Sequence, residues 1–148
     1  MALNMAKNVA VNSGKKNCYE LLAWLNETLQ TGFTKLEQLW TGAAYCQLMD
    51  LLFPGSMDVS RVQFQSSNTV DSIHNYSLLQ TAFRTVGVVR FIPIESLIKR
   101  NSAVSLSFLQ WFKQFFDENN KGGEYHALEA RGGQSIANIS HLFLVSVL

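Results

Sequence analysis

LLAWLNETLQTGFTKLEQLWTGAAYCQLMDLLFPGS, residues 21–56, decides the fold class. Together with Cys18, residues Leu21, Leu22, Leu25 and Leu29 recur at three- and four-residue steps and so line one face of a helix. Gly32 suits its end, since glycine accepts the left-handed cap conformation. Thr34-Lys35-Leu36-Glu37 then has the spacing of a capping box and predicts a second helix start. That helix carries two apolar stripes. One is Leu36, Leu39, Trp40, Ala43, Cys46, Met49 and Phe53; the other is Ala44, Leu48, Leu51 and Leu52. A helix that is apolar on more than one side belongs at the centre of its domain. Pro54-Gly55 stops it.

Outward from this pair the pattern stays helical. Residues 55–67 lack a period and read as a loop with one short turn. A long helix follows from about Val70 to Val86, its inner face being Ile73, Tyr76, Leu79, Phe83 and Val86. Asn68 or Thr69 caps its start and Gly87 its end. Pro93 fits the first turn of a short helix, Ile94 to Arg100. The last strong helix spans Ser102 to about Asn119, with Val104, Phe108, Trp111, Phe112 and Phe115 inward. Residues 125–131 offer one more turn. Val88 to Ile94 is the best strand candidate, and its proline and shortness make it a poor one. The expected fold is all-α, a compact globular helical bundle. Residues 1–16 form a flexible N-terminal arm, 17–131 the domain, and 132–148 an apolar tail.

The 148 residues suit one domain with one core. Hydrophobic residues make up 47% and charged residues 16%, a balance that favours a packed globule and argues against a disordered tail. The net charge of +1 is too even for a nucleic-acid binder. It is unevenly spread, however. Residues 60–116 hold Arg61, Arg84, Arg90, Lys99, Arg100 and Lys113 against only Asp71 and Glu95, a local excess of +4. Such an excess attracts an acidic surface at low salt, although composition alone is met as simply by a solvated helix face.

No chemistry converges. His74, His126 and His141 have no Cys or carboxylate at ligand spacing, so no metal or cofactor is expected. There is no phosphate-cradling glycine loop and no nucleophile elbow. Cys18 and Cys46 read as core residues in a reducing compartment. No apolar run reaches the roughly 20 residues of a membrane span, so no membrane partner is expected. The expectation is a binding module, not an enzyme.

Several segments resemble one family. Besides residues 21–56, these are MALNM at the start, RVQFQ at 61–65, FIPIESLIK at 91–99 and FLQWFKQFFD at 108–117. They resemble the N-terminal calponin-homology domain of the end-binding (EB) family of microtubule plus-end tracking proteins, from residue 1 to about Gln134. The resemblance implies an all-α calponin-homology fold. It also implies binding to the acidic wall of the tubulin polymer, in the cytoplasm and on the spindle, by basic side chains.

Arg61, Arg84, Arg90, Lys99 and Lys113 match basic positions of the family, and Arg100 stands one place from another. Ser60, Gln63, Ser67, Ser77 and Gln114 stand where the family tends to have lysine. The resemblance therefore implies a weakened microtubule binder. With no coiled coil following, a monomer is expected. Actin or another protein is the alternative partner, and a truncated paralogue with little activity is the third reading.

Overall fold

An 18-residue helix whose aromatics recur at three- and four-residue steps must be enclosed by other elements. In the computed structural model, which describes residues 5–9 and 16–137, that helix is α5, Ser102–Asn119. Its inner face meets α2 (Ala43–Leu52) and α3 (Thr69–Val86). Tyr45 of α2 stacks on Phe112 at 5.2 Å and meets Phe108 edge-on at 4.9 Å. Phe83 of α3 packs beside Trp111 and Phe112. Around them lie α1 (Cys18–Leu29), the short α4 (Ile94–Ile98) and the single turn α6 (Ala127–Ala130). Two 3-10 turns, Leu36–Leu39 and Val59–Arg61, complete the order. There is no strand among the described residues.

α1 begins with a capping box the sequence reading did not single out. The Asn17 side chain accepts from Glu20 N at 2.9 Å, and Glu20 accepts from Asn17 N at 3.2 Å. The helix ends at Gln30, in the left-handed region at φ 56°, before the expected Gly32. Asn26 makes the early exit possible. Its side chain accepts from the Thr31 hydroxyl and Phe33 N and donates to Phe33 O, all at 2.8–2.9 Å.

The helix expected from Thr34 to Phe53 is two pieces. Thr34 does not cap through its own hydroxyl. Instead the Gln38 side chain accepts from Thr34 N at 2.8 Å and from Lys35 N at 3.1 Å, closing a 3-10 turn. Gly42, at φ +80°, then separates that turn from α2. A Cβ there would lie 3.0 Å from the Tyr76 ring, so glycine answers both the backbone angle and the close approach. Trp40, expected inward, is half-buried beside this break. The expectation that α2 is central holds: eight of its ten residues are buried, Gln47 among them.

In α3 the inner stripe is rotated from the expected one. Ile73 is 51% exposed, whereas Ser72 and Asn75 are fully buried. Asn75 is inward because its amide satisfies backbone groups no apolar residue could serve. It accepts from Gln63 N (2.8 Å) and donates to Thr41 O (3.0 Å) and Gln63 O (3.1 Å). Pro93 sits at the cap of α4, not inside its first turn, and α4 closes at Ile98.

Part of the expected flexible arm is pinned. Ala6 N donates to Val86 O at 2.8 Å, and the Asn119 side chain pairs with both Lys7 N and Lys7 O. Asn8 donates to Gly87 O and accepts from Val89 N. At the other end, Arg131 is buried although charged. Its guanidinium donates to Leu29 O, Gln30 O, Gln134 O and the Gln47 side chain, joining α6 to the end of α1. Ile136 and Ala137 are buried, with Ala137 N donating to Phe64 O. The rest of the expected apolar tail, 138–148, lies outside the described residues, as does His141.

Candidate functional site

The six candidate cations arise on five segments of the chain and do not form one patch. Arg61 ends the second 3-10 turn and is exposed. Asp58 stands near it, and the Arg61 carbonyl contacts His74 of α3 at 2.9 Å. Arg84 lies exposed near the end of α3, its side chain meeting Thr81 at the long distance of 3.5 Å. Stepping at 3.6 residues per turn, Ile73, Ser77, Gln80 and Arg84 share the outer face of α3. One exposed strip thus runs from the vicinity of Arg61 to Arg84.

Arg90 follows α3 in an extended loop. Its guanidinium lies over the rings of Phe108 and Trp111, 5.5 and 5.6 Å from their centroids. Its Nε is buried without a hydrogen-bond partner among the described residues, and burial lowers the guanidinium's pKa from the ordinary value. On either side Val89 and Phe91 are 84% and 76% exposed. Arg84 and Arg90 line one shallow groove of about 260 Å³ with Gln80, Val88 and Ile92. No carboxylate pairs with either cation among the described residues. The sequence reading missed the exposed Val89 and Phe91. Their signal was present in VVRFIP, an apolar run that alternates too poorly to be a buried strand.

Lys99 and Arg100 lie between α4 and α5. Lys99 pairs with Glu95 at 2.8 Å, both side chains well exposed, so the pair adds little. That hydrogen bond raises the lysine pKa and lowers the glutamate's. Arg100 has φ 62° and its guanidinium covers the Trp40 ring at 4.2 Å. Lys113 differs most. It pairs with Asp117 at 2.6 Å, lies 5.2 Å from the Trp24 ring of α1, and its side chain is 16% exposed. At 100° per residue it projects about 170° away from the Phe108–Trp111 seat of Arg90. α5 therefore stands between Lys113 and Arg90.

A larger groove of about 800 Å³ along α1 is lined by Cys18, Tyr19, Leu22 and Ala23, and no cation is among its described lining residues. Cys46 is buried, which raises its thiol pKa, and Cys18 is half-buried. No group of His, Cys, Asp and Glu among the described residues could hold a metal. No described helix is long and apolar enough to cross a membrane.

Comparison with known proteins bears on what such a surface meets. The calponin homology (CH) domain model matches residues 15–121. A solved chain from work on the structural basis of microtubule plus end tracking by XMAP215, CLIP-170 and EB1 is 32% identical. It covers 80% of this chain and 100% of its own length, with a TM-score of 0.76.

Proposed function

The chain belongs to the calponin homology domain family, and from that premise we propose that it binds the microtubule wall in the manner of the EB family. The observation that carries this reading is the groove holding Arg84 and Arg90, two cations without acidic partners among the described residues, beside the exposed Val89 and Phe91. Unpaired cations beside exposed apolar side chains suit a partner that is acidic and also offers apolar contact. The similar chain from plus-end tracking work supports the same partner. Arg61 extends the surface along α3, and Lys99 with Arg100 adds a second basic site. Lys113 is outside it, because its charge is spent on Asp117 and it projects from the far side of α5.

Binding is weaker than the family norm in this reading. Ser60, Gln63, Ser67 and Ser77 are all exposed and uncharged where the resemblance expects lysines. Each missing cation removes modest attraction and some salt dependence.

The test is co-sedimentation with stabilised microtubules across a salt series, with imaging on dynamic microtubules beside it. Arg90→Glu and Lys99→Glu should each weaken binding by roughly tenfold or less, and Lys113→Gln should leave it unchanged. Equal pelleting of Arg90→Glu and the parent chain refutes the assigned surface. Pelleting with actin filaments but not microtubules refutes the partner.

A further inference from the structure

Only one serine or threonine in the sequence has cations at both the second and third positions before it: Ser102, in Lys99-Arg100-Asn101-Ser102. The two adjacent basic pairs of the chain are Lys15-Lys16 and Lys99-Arg100, and the first is followed at that spacing by Cys18. Residues 99–103 are all exposed, forming the turn between α4 and α5 and the first residues of α5. The Ser102 hydroxyl has no hydrogen-bond partner among the described residues, so nothing withholds it. Among the described residues, Lys99 is held only by its exposed contact with Glu95, and Arg100 only by the face of Trp40.

We propose that Ser102 is a phosphoacceptor for a protein kinase with an acidic peptide groove, and that its phosphorylation weakens microtubule binding. Charge pattern is a principal way such enzymes select substrates, and a cation pair followed by a small polar residue and serine supplies it. The Ser102 Oγ–phosphorus bond forms as the bond between the γ-phosphorus and the β–γ bridging oxygen of ATP breaks. ADP leaves, and the hydroxyl proton passes to the kinase's catalytic carboxylate.

The fold tolerates the product. The new group brings about −1.5 to −2 charges. Asn101 caps α5 through Val104 N, which leaves the N–H groups of Ser102 and Ala103 without acceptors among the described residues. Phosphate on the first helical residue faces those donors and the positive end of the helix. It also lies within two and three residues of Arg100 and Lys99, cancelling the basic charge of that turn. The regulatory half of the inference rests on the microtubule reading; the phosphoacceptor half does not.

The test incubates the full chain with ATP and the catalytic subunit of cyclic-AMP-dependent protein kinase as the probe, then locates phosphate by tandem mass spectrometry. The expected result is phosphate at Ser102, with incorporation reduced about tenfold or more in Ser102→Ala and in Arg100→Ala. Phosphate absent, or placed elsewhere at an equal rate, overturns the phosphoacceptor. The phosphorylated chain should then bind stabilised microtubules about five- to tenfold more weakly than the untreated chain. Equal binding overturns the regulation. If the untreated chain itself fails to pellet, the microtubule reading and the switch built on it both fall, while the mass spectrum still decides the phosphoacceptor.

Discussion

Arg131→Met removes a buried guanidinium while nearly keeping its volume. Arg131 is 1% exposed and donates to three backbone carbonyls and to Gln47 Oε1. No carboxylate balances it among the described residues. Two of those carbonyls, Leu29 and Gln30, belong to the end of α1, where helix acceptors lack internal donors. Orphaning four acceptors costs about 1–3 kcal/mol each, a gross of about 4–12 kcal/mol. Removing the charge returns several kcal/mol of desolvation.

The net expectation is a loss of about 3 kcal/mol or more. In a domain of this size that lowers Tm by about 6–12 °C. Burial already pushes the guanidinium down, to about 10 from 12.5. A base lowered in the fold costs stability while it stays charged, and that cost is relieved only as pH rises past about 10. At neutral pH the full cost is present, and the hydrogen bonds must outweigh it. The assay is urea and thermal unfolding followed by circular dichroism, with Arg131→Lys as an intermediate case. A methionine variant that melts within 2 °C of the parent, with an unchanged urea slope, refutes the reasoning.

Three further outcomes follow from the same packing. Gly42→Ala forces a side chain into the left-handed region and against the Tyr76 ring, and should cost about 2 kcal/mol by urea unfolding. Asn68→Ala removes the acceptor of Asp71 N at 2.8 Å and should cost about 1 kcal/mol, lowering Tm by about 2–4 °C. Burial raises the Asp50 pKa above 3.8, against the opposing hydrogen bond from Tyr125. The native state thus holds more protons than the unfolded chain from about pH 4 up to the raised value, and stability falls as pH climbs through that window. Asp50→Asn should remove this fall, and a parallel pair of stability–pH curves would show the carboxyl to be unperturbed.

What was legible in the sequence was what a helix repeats. Phe108, Trp111, Phe112 and Phe115 could be placed inward, and α5 bounded near Ser102 and Asn119, because the apolar period is strong there. The break at Gly42 was hidden because apolar residues continue across it; the left-handed backbone angle and the approach of Tyr76, 34 positions away, explain the glycine only once the chain is folded. Ile73 was misjudged for a similar reason. Its apolar character pointed inward, but the inner place belongs to Asn75, whose partners Thr41 and Gln63 are brought by tertiary folding. Arg131 reads as a surface cation until α1 ends against it. At the candidate site the charges could be counted along the chain. Their grouping depends on how α5 is turned, which leaves Arg90 on one side and Lys113 on the other.

The contact between Asn8 and Val89 N ties the start of the chain to the residue just before Arg90. Residues 5–9 are therefore a lever on the cationic loop. A fluorescent protein or purification handle fused ahead of residue 5 pulls on that lever, so the same domain labelled at its two ends need not report the same affinity. Measurements meant to rank charge variants belong on chains whose amino end carries no added load.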